Sequence, residues 1–159
     1  MKKTTLLKKI IARLNENLDV LDKAARTSRA EATHESSKAE SKYDTRGLEA
    51  GYLASGQARQ AREIQESIKV YESLPLRDFA ADEPVDMTAL VKLEADGSGS
   101  YYFIGPKNGG LEIEHAGEEI LVITPQSPLG ENLMGKQTGQ RWTAKLGGST
   151  VKYHLVSVS

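Results

Sequence analysis

The first half of the chain repeats its apolar residues with the period of an α-helix. One stripe runs at steps of three and four positions through Leu7, Ile11, Leu14, Leu18, Leu21 and Ala25. A second stripe follows at Ala54, Ala58, Ala61, Ile64, Ile68 and Tyr71. Each stripe lines one narrow helix face, as in a coiled-coil seam, and neither helix buries such a seam alone. The pattern predicts two helices that pair antiparallel over residues 1–75.

Between the two stripes, residues 33–44 are rich in serine and charge and have no apolar period. We interpret this segment as the tip of the hairpin. Ser37 followed by Glu40, and Ser41 followed by Asp44, have the capping-box spacing that starts a second helix. At about 1.5 Å per residue, helices of about thirty residues place the tip on the order of 45 Å from their base.

After Pro75 the apolar pattern changes from that of helices to that of strands. Residues 76–86 are acidic, contain Pro84 and are interpreted as a linker, the place where a hinge would lie. Beyond them, apolar or alternating runs predict six strands, within 88–93, 101–104, 111–114, 120–123, 142–146 and 151–158. One short helix fits before the fifth strand, with Ser127 as N-cap, Pro128 at the first helical position and Gly135 past its end.

These elements predict an α+β protein with an antiparallel coiled-coil hairpin at residues 1–75, a linker at 76–86 and a small β-rich domain with one short helix at 87–159. Charge divides the same way, since the first 75 residues carry a net +3 and the remaining 84 a net −4. A mildly basic hairpin suits entry into a negatively charged cavity. Ordinary solvated helix faces explain the same charge equally well.

Composition excludes several classes of function. The chain has no cysteine, which excludes disulfides, thiolate nucleophiles and cysteine-ligated zinc. Lysines interrupt the apolar residues near the N-terminus, so we expect neither a signal peptide nor a membrane span, and expect a cytoplasmic protein. His34, His115 and His154 lack metal-ligand spacing, and no nucleophile elbow, phosphate loop or dinucleotide fingerprint is present. We therefore do not expect a self-contained enzyme.

One segment has a specific resemblance. Residues 123–139, ITPQSPLGENLMGKQTG, resemble the C-terminal signature of the bacterial Gre transcript-cleavage factors, approximately S-P-hydrophobic-G, two residues, L, one residue, G-K, two residues, G. The family's plan, an antiparallel coiled coil of about 75 residues before an FKBP-like domain, is similar to the plan predicted here. Structural regulators and cleavage factors share this signature, which therefore identifies the domain and not its activity.

The resemblance implies a partner and a role. The C-terminal domain would grip bacterial RNA polymerase at the rim of its secondary channel, with Ser127, Pro128, Leu129 and Gly130 as partner-binding residues. The hairpin would enter the channel and stimulate the polymerase's own Mg²⁺-dependent cleavage of backtracked RNA. The chain would act as a monomer with no cofactor of its own and would meet the RNA 3′ end only indirectly.

The family's tip carries an acidic run, roughly D-L-x-E-N-A-E-Y, which resembles residues 44–52, DTRGLEAGY. By resemblance, Asp44 and Glu49 are the catalytic and metal-ligating residues, lent to the polymerase's magnesium site. The match needs one extra residue, and Gly51 replaces the family's final acid. Glu40 is a substitute candidate from its place in the tip. Helix capping and solubility explain each of these acids equally well.

One other function stays open from the sequence, and two more, a prolyl isomerase and a chaperone, are not expected. Gly51 in place of an acid favours a regulator that occupies the channel without promoting cleavage. An FKBP-like fold admits prolyl isomerase activity, but fold is a weak guide to activity. A chaperone would expose apolar residues at its tip, whereas Tyr43 is the one large apolar side chain in residues 33–47.

Overall fold

The structure is a computed structural model that describes the backbone of residues 1–33 and 46–159 and the side chains of 1–24, 26–27 and 56–159. A helical hairpin is followed by a six-stranded sheet, which confirms the predicted α+β class. The helices are α1 (Lys3–Thr33), α2 (Arg46–Glu72) and α3 (Pro128–Leu133). The strands are β1 (Leu90–Ala95), β2 (Ser98–Ile104), β3 (Glu112–His115), β4 (Glu118–Ile123), β5 (Arg141–Leu146) and β6 (Ser149–Val158). The predicted capping boxes at Ser37 and Ser41 lie outside the described residues.

The chain divides into two compact units. One comprises Ile11–Glu72 and is called here the helical unit; the other comprises Met1–Ile10 with Ser73–Ser159 and is called the sheet unit. The first ten residues thus belong with the sheet, a grouping that the hydrophobic pattern did not predict. No helix in the described parts of the chain is long and apolar enough to cross a membrane.

The buried face of α1 in the sheet unit differs from the predicted stripe. Lys3, Leu6 and Ile10 are buried there, whereas Leu7 is half-buried. The first turns of α1 belong with the sheet, where Lys9 Nζ donates to the Glu114 carbonyl at 2.9 Å, and a sheet offers a broader surface than a single helix. In the helical unit, Leu14 of the predicted stripe is buried, at 1% exposed.

The sheet has the strand order β3-β4-β2-β1-β6-β5, with β2 and β4 parallel and every other neighbouring pair antiparallel. Three two-residue turns join β1 to β2, β3 to β4 and β5 to β6. In each of them, Asp96-Gly97, Ala116-Gly117 and Gly147-Gly148, both residues have positive φ. Such turns match the twist of the strands they join and fix their register. The predicted Gly147-Gly148 hairpin is confirmed.

Buried apolar residues lie on both faces of the sheet. One face carries a core in which Leu93, Ile104 and Leu155 meet Leu133 of α3. Phe79 and Val85 join the same core from the segment predicted as a linker, so that segment is part of the folded sheet unit. On the opposite face Phe103, Ile120 and Val122 are fully buried.

The first strand starts later than its composition predicts. Thr88 has the propensity to begin a strand, but its φ is 71°, in the left-handed region that β-branched residues rarely adopt. Its N–H donates to the carbonyl of Ile104 at 2.9 Å, and β1 begins two residues later, at Leu90. A long-range contact therefore overrides the local preference.

Candidate functional site

Helix α3 is held by the cap that the sequence predicts. The Ser127 backbone is extended, and its Oγ accepts a hydrogen bond from the Gly130 N–H at 3.0 Å. The same hydroxyl donates to the carbonyl of Thr124 at 2.7 Å, which ties the helix to the end of β4. Pro128 occupies the first turn, where its missing N–H costs nothing. The N-cap, the proline position and the glycine past the helix end are all confirmed.

Two glycines of the same segment occupy positions that disfavour a side chain. A Cβ on Gly130 would lie 1.9 Å from the carbonyl oxygen of Thr124. Gly135 follows the helix with φ of 83°, a conformation that favours glycine. Between them, Leu133 is fully buried in the core. The folding of the segment alone therefore accounts for most of its signature.

The chain on either side of α3 is bonded to the rest of the sheet unit. The N–H of Gly135 donates to the carbonyl of Val85 at 2.9 Å, and the N–H of Val85 donates to the carbonyl of Lys136 at 2.8 Å. The N–H of Gly139 donates to the carbonyl of Leu155, also at 2.8 Å. These bonds give α3 a fixed place on the core.

The four predicted partner-binding residues divide into two kinds. Ser127 and Gly130 serve the fold through the cap and the close approach to Thr124. Pro128 is exposed, and Leu129 is half-buried against the core. Pro128 and the outer side of Leu129 are therefore the parts of this set that are open to contact.

The described structure does not include the side chains of the predicted tip residues. Asp44 and Glu40 lie outside the described residues, and Glu49 lies in α2 by its backbone while its side chain is outside them. Their roles as catalytic or metal-ligating residues stay predictions. Among the side chains that the structure describes, no group of three or more His, Cys, Asp or Glu is arranged to hold a metal ion.

A cationic cluster that the sequence analysis missed joins the start of α1 to the segment before β1. The buried Lys3 ammonium donates to the carbonyl of Arg77 and, at 3.2 Å, to that of Thr88. The Phe79 ring contacts both cations, with Lys3 Nζ at 4.7 Å and Arg77 Cζ at 3.8 Å from its centroid. Burial lowers the pKa of Lys3, and the charge of Asp78 opposes that shift. Lys3 shares one helix face with Leu6 and Ile10 by its spacing, but that spacing does not reveal the distant carbonyls that it binds.

Arg77 also binds the acidic segment that follows it. Its guanidinium lies 2.9 Å from Glu83 and 3.8 Å from Asp86. The Ala80 N–H donates to the Glu83 carboxylate. This hydrogen bond and, to a smaller extent, the one from Arg77 lower the pKa of the Glu83 carboxyl. A cavity of about 560 Å³ lies beside this cluster. These contacts hold residues 77–88 in place.

A second cleft of about 550 Å³ lies over β1, β6 and β5. Glu94, His154 and Arg141 stand side by side across the three strands, with His154 Nδ1 and Glu94 Oε2 3.1 Å apart. Trp142 stacks on Tyr153 with ring centroids 5.6 Å apart, and Tyr153 belongs to the core. Neither serine nor cysteine is among the residues that line this cleft, and its acid–base pair therefore has no nucleophile of those types beside it.

Comparisons with known proteins give a weak likeness to solved structures. The GreA factor homolog 1 protein of Thermus thermophilus is 16% identical with a TM-score of 0.38, over 94% of this chain and 94% of that one. The same factor from Thermus aquaticus is 20% identical with a TM-score of 0.40, over 98% of this chain and 92% of that one. The elongation factor GreA/GreB of Nitrosomonas europaea is 18% identical with a TM-score of 0.36, over 60% and 78%.

Neither a family model nor a curated protein matches the chain. Identities and TM-scores as low as these carry no function over to it. The chain's own residues and the resemblance of its signature segment are therefore the grounds for assigning a function.

Proposed function

We propose that this chain is a transcription elongation factor that binds bacterial RNA polymerase, inserts its hairpin into the secondary channel and stimulates the polymerase's own cleavage of backtracked RNA. The observation that carries the proposal is the joining of two features in one chain. A helical hairpin precedes a sheet unit in which the signature segment 123–139 contains the short helix α3. In that segment, the cap, the close-packed glycine and the buried leucine all have a role in the fold.

The proposed polymerase-binding surface is the outer side of α3. Pro128 is exposed there, next to the half-buried Leu129, while the cap of Ser127 and the close packing of Gly130 hold the helix in place. A rigid apolar contact loses little conformational entropy on binding, which favours its use as an anchor. Ser127 and Gly130 then act by positioning the helix, and Pro128 and Leu129 act by contact.

The proposed role of the hairpin is to carry acidic side chains to the polymerase's active centre. Asp44 and Glu49 provide carboxylate oxygens, the ligand type that Mg²⁺ takes in proteins, so this donor set suits the polymerase's metal. A positioned carboxylate also orients water or takes its proton. The chain brings no cofactor of its own, works in the cytoplasm as a monomer and performs no reaction without the polymerase.

RNA shortening in backtracked elongation complexes tests this proposal. The purified chain should accelerate cleavage, whereas Asp44→Ala or Glu49→Ala should lower the rate at least tenfold with binding unchanged. Asp19→Ala is the matched control, since Asp19 is an exposed acid on α1 away from the tip, and it should cleave like the unchanged chain. Glu40→Ala tells whether the substitute acid contributes. A chain that does not bind the polymerase would exclude the proposal altogether.

A second candidate function is a channel-occupying regulator that binds polymerase without promoting cleavage. Gly51 favours it, because the family's acidic run has a carboxylate before its tyrosine and this chain has none before Tyr52. Such a regulator would leave RNA cleavage unchanged or slowed and would compete with an authentic cleavage factor. The same assay, run with and without a competing factor, separates the two functions.

A further inference from the structure

Strand β5 forms one edge of the sheet and pairs with β6 alone. A two-residue turn joins these strands, so Leu146 and Ser149 beside it exchange hydrogen bonds. Residues of an antiparallel strand alternate between groups that point at the partner and groups that point away. Arg141, Thr143 and Lys145 therefore direct their backbone N–H and C=O groups to the open side.

The opposite edge is protected where this one is not. By the same alternation, Glu114 of β3 points its carbonyl outward, and that carbonyl accepts a hydrogen bond from Lys9 Nζ at 2.9 Å. Ile113 and His115 of β3 are buried as well. Among the backbone groups and side chains that the structure describes, no hydrogen bond is found to the outward groups of β5. An uncapped edge of six residues is a template for another strand.

The side chains of β5 indicate what kind of strand fits beside it. Trp142, Ala144 and Leu146 are half-buried on the core face, so apolar neighbours added there would extend the core. On the other face, Arg141 and Lys145 are exposed. Residues 141–158 contain three Lys or Arg and no Asp or Glu, although the whole chain has a net charge of −1. One face of the edge is thus mainly apolar, with Lys136 Nζ 4.9 Å from the Trp142 ring centroid, and the other face is positive.

We propose that the β5 edge binds an extended acidic peptide as a seventh strand. Its backbone would pair with the outward groups of Arg141, Thr143 and Lys145, and its alternate apolar side chains would cover Trp142 and Ala144. Its carboxylates would face Arg141 and Lys145. Main-chain bonds supply affinity in such strand addition, and the alternating side chains supply specificity. This site does not depend on the proposed action on polymerase.

Charge disfavours a second copy of the chain as the occupant. Antiparallel pairing of two β5 edges about Thr143 would set Arg141 of each copy against Lys145 of the other. Like charges directly opposite each other destabilise a strand pair. An acidic strand turns the same two positions into favourable pairs.

Trp142 is the sole tryptophan of the chain and reports on this edge directly. The probe is a ten-residue peptide that alternates glutamate and valine, and the comparison peptide alternates lysine and valine. The acidic peptide should change Trp142 fluorescence saturably and bind at least tenfold more tightly than the basic one. Amide exchange at Thr143 and Lys145 should slow at least tenfold in the complex. Equal binding of the two peptides, or none, would overturn the proposal.

Thr143→Pro removes one outward N–H without touching the pairing with β6, since proline is tolerated on the solvent side of an edge strand. It should weaken binding of the acidic peptide at least tenfold. The matched variant Thr143→Val keeps the N–H and should bind the peptide as tightly as the unchanged chain. Peptide binding unchanged in Thr143→Pro would contradict the site.

If Thr143→Pro does not fold, the double variant Arg141→Glu with Lys145→Glu tests the same surface. It should reverse the preference, so that the basic peptide binds more tightly than the acidic one. Sedimentation of the unchanged chain checks the other occupant. If the unchanged chain is a dimer and either Thr143→Pro or this double variant is a monomer, the edge binds a second copy of the chain. That result would overturn the proposal of an acidic peptide.

Discussion

Gly130 lies so close to the carbonyl of Thr124 that a methyl group has no room. An added Cβ would be 1.9 Å from that oxygen and 2.8 Å from Ser127 Oγ. Gly130→Ala therefore requires a backbone shift in α3, and we expect it to lower the free energy of unfolding by about 3 kcal/mol. Urea titration followed by Trp142 fluorescence measures this.

The control for that substitution is Glu131→Ala on the same helix, where the side chain is exposed. Its loss removes one favourable charge from the first turn and should cost about 0.5 kcal/mol. Equal stability of the two variants would show that α3 tolerates a side chain at Gly130 and that its close packing does not hold the helix.

His115 makes the stability of the sheet unit depend on pH. The ring is 5% exposed, and neither nitrogen has a hydrogen-bond partner among the described residues. The Lys2 backbone acts to raise the pKa of His115, but it is the smallest of the influences on that pKa. Burial, then the charges of Lys9 and the N-terminal amine, hold the pKa of His115 below 6.5. In the unfolded chain the ring takes up a proton near 6.5, so below that pH the unfolded state binds more protons.

Stability should therefore be independent of this group above pH 6.5 and should fall as the pH is lowered from 6.5 toward the folded-state pKa. His115→Leu should flatten that slope, and His154→Gln, at a histidine paired with Glu94, is the control that should keep it. Unfolding free energies measured from about pH 7.5 down to about pH 5 follow the effect. A slope unchanged in His115→Leu would assign the pH dependence to other groups.

At the scale of elements, the contact between the first turn of α1 and residues 77–88 depends on a few side chains. Phe79 is 8% exposed and lies between two cations, so Phe79→Ala should cost about 3 kcal/mol of unfolding free energy. Lys3→Ala leaves the carbonyls of Arg77 and Thr88 without their donor and should cost about 2 kcal/mol.

Lys2→Ala is the matched control, because Lys2 neighbours Lys3 and is exposed. It should change the unfolding free energy by less than about 0.5 kcal/mol, the usual effect of a surface substitution. Thermal and urea unfolding compare the three variants. A loss no larger in Lys3→Ala than in Lys2→Ala would show that the start of α1 is not held by this ammonium.

Elements coded by short-range chemistry were predictable from the sequence. The cap and proline of α3 and the Gly147-Gly148 turn each depend on residues a few positions apart, and each is found where it was predicted. The start of β1 and the buried face of α1 were not predictable, since Thr88 and Lys3 take their conformations from contacts 16 or more positions away. Local patterns contain no record of such partners.

At the scale of the whole molecule, the predicted site residues fall in two separate parts of the chain. The signature helix belongs to the sheet unit, whereas Asp44 and Glu49 fall in the sequence range of the helical unit. The proposed function assigns the chemistry of these two acids to a site completed by groups of the polymerase. The resemblance in residues 123–139 pointed to that partner, whereas periodicity and composition alone did not.

The proposed contact between the hairpin tip and the catalytic metal of RNA polymerase can be mapped by replacing that Mg²⁺ with Fe²⁺ in the complex and generating hydroxyl radicals, which cut protein only close to the iron. The predicted result is cleavage of this polypeptide between residues 40 and 50, and that cleavage should disappear when Mg²⁺ is in excess. Breaks confined to residues 123–139, or none in a complex that has formed, would contradict the claim.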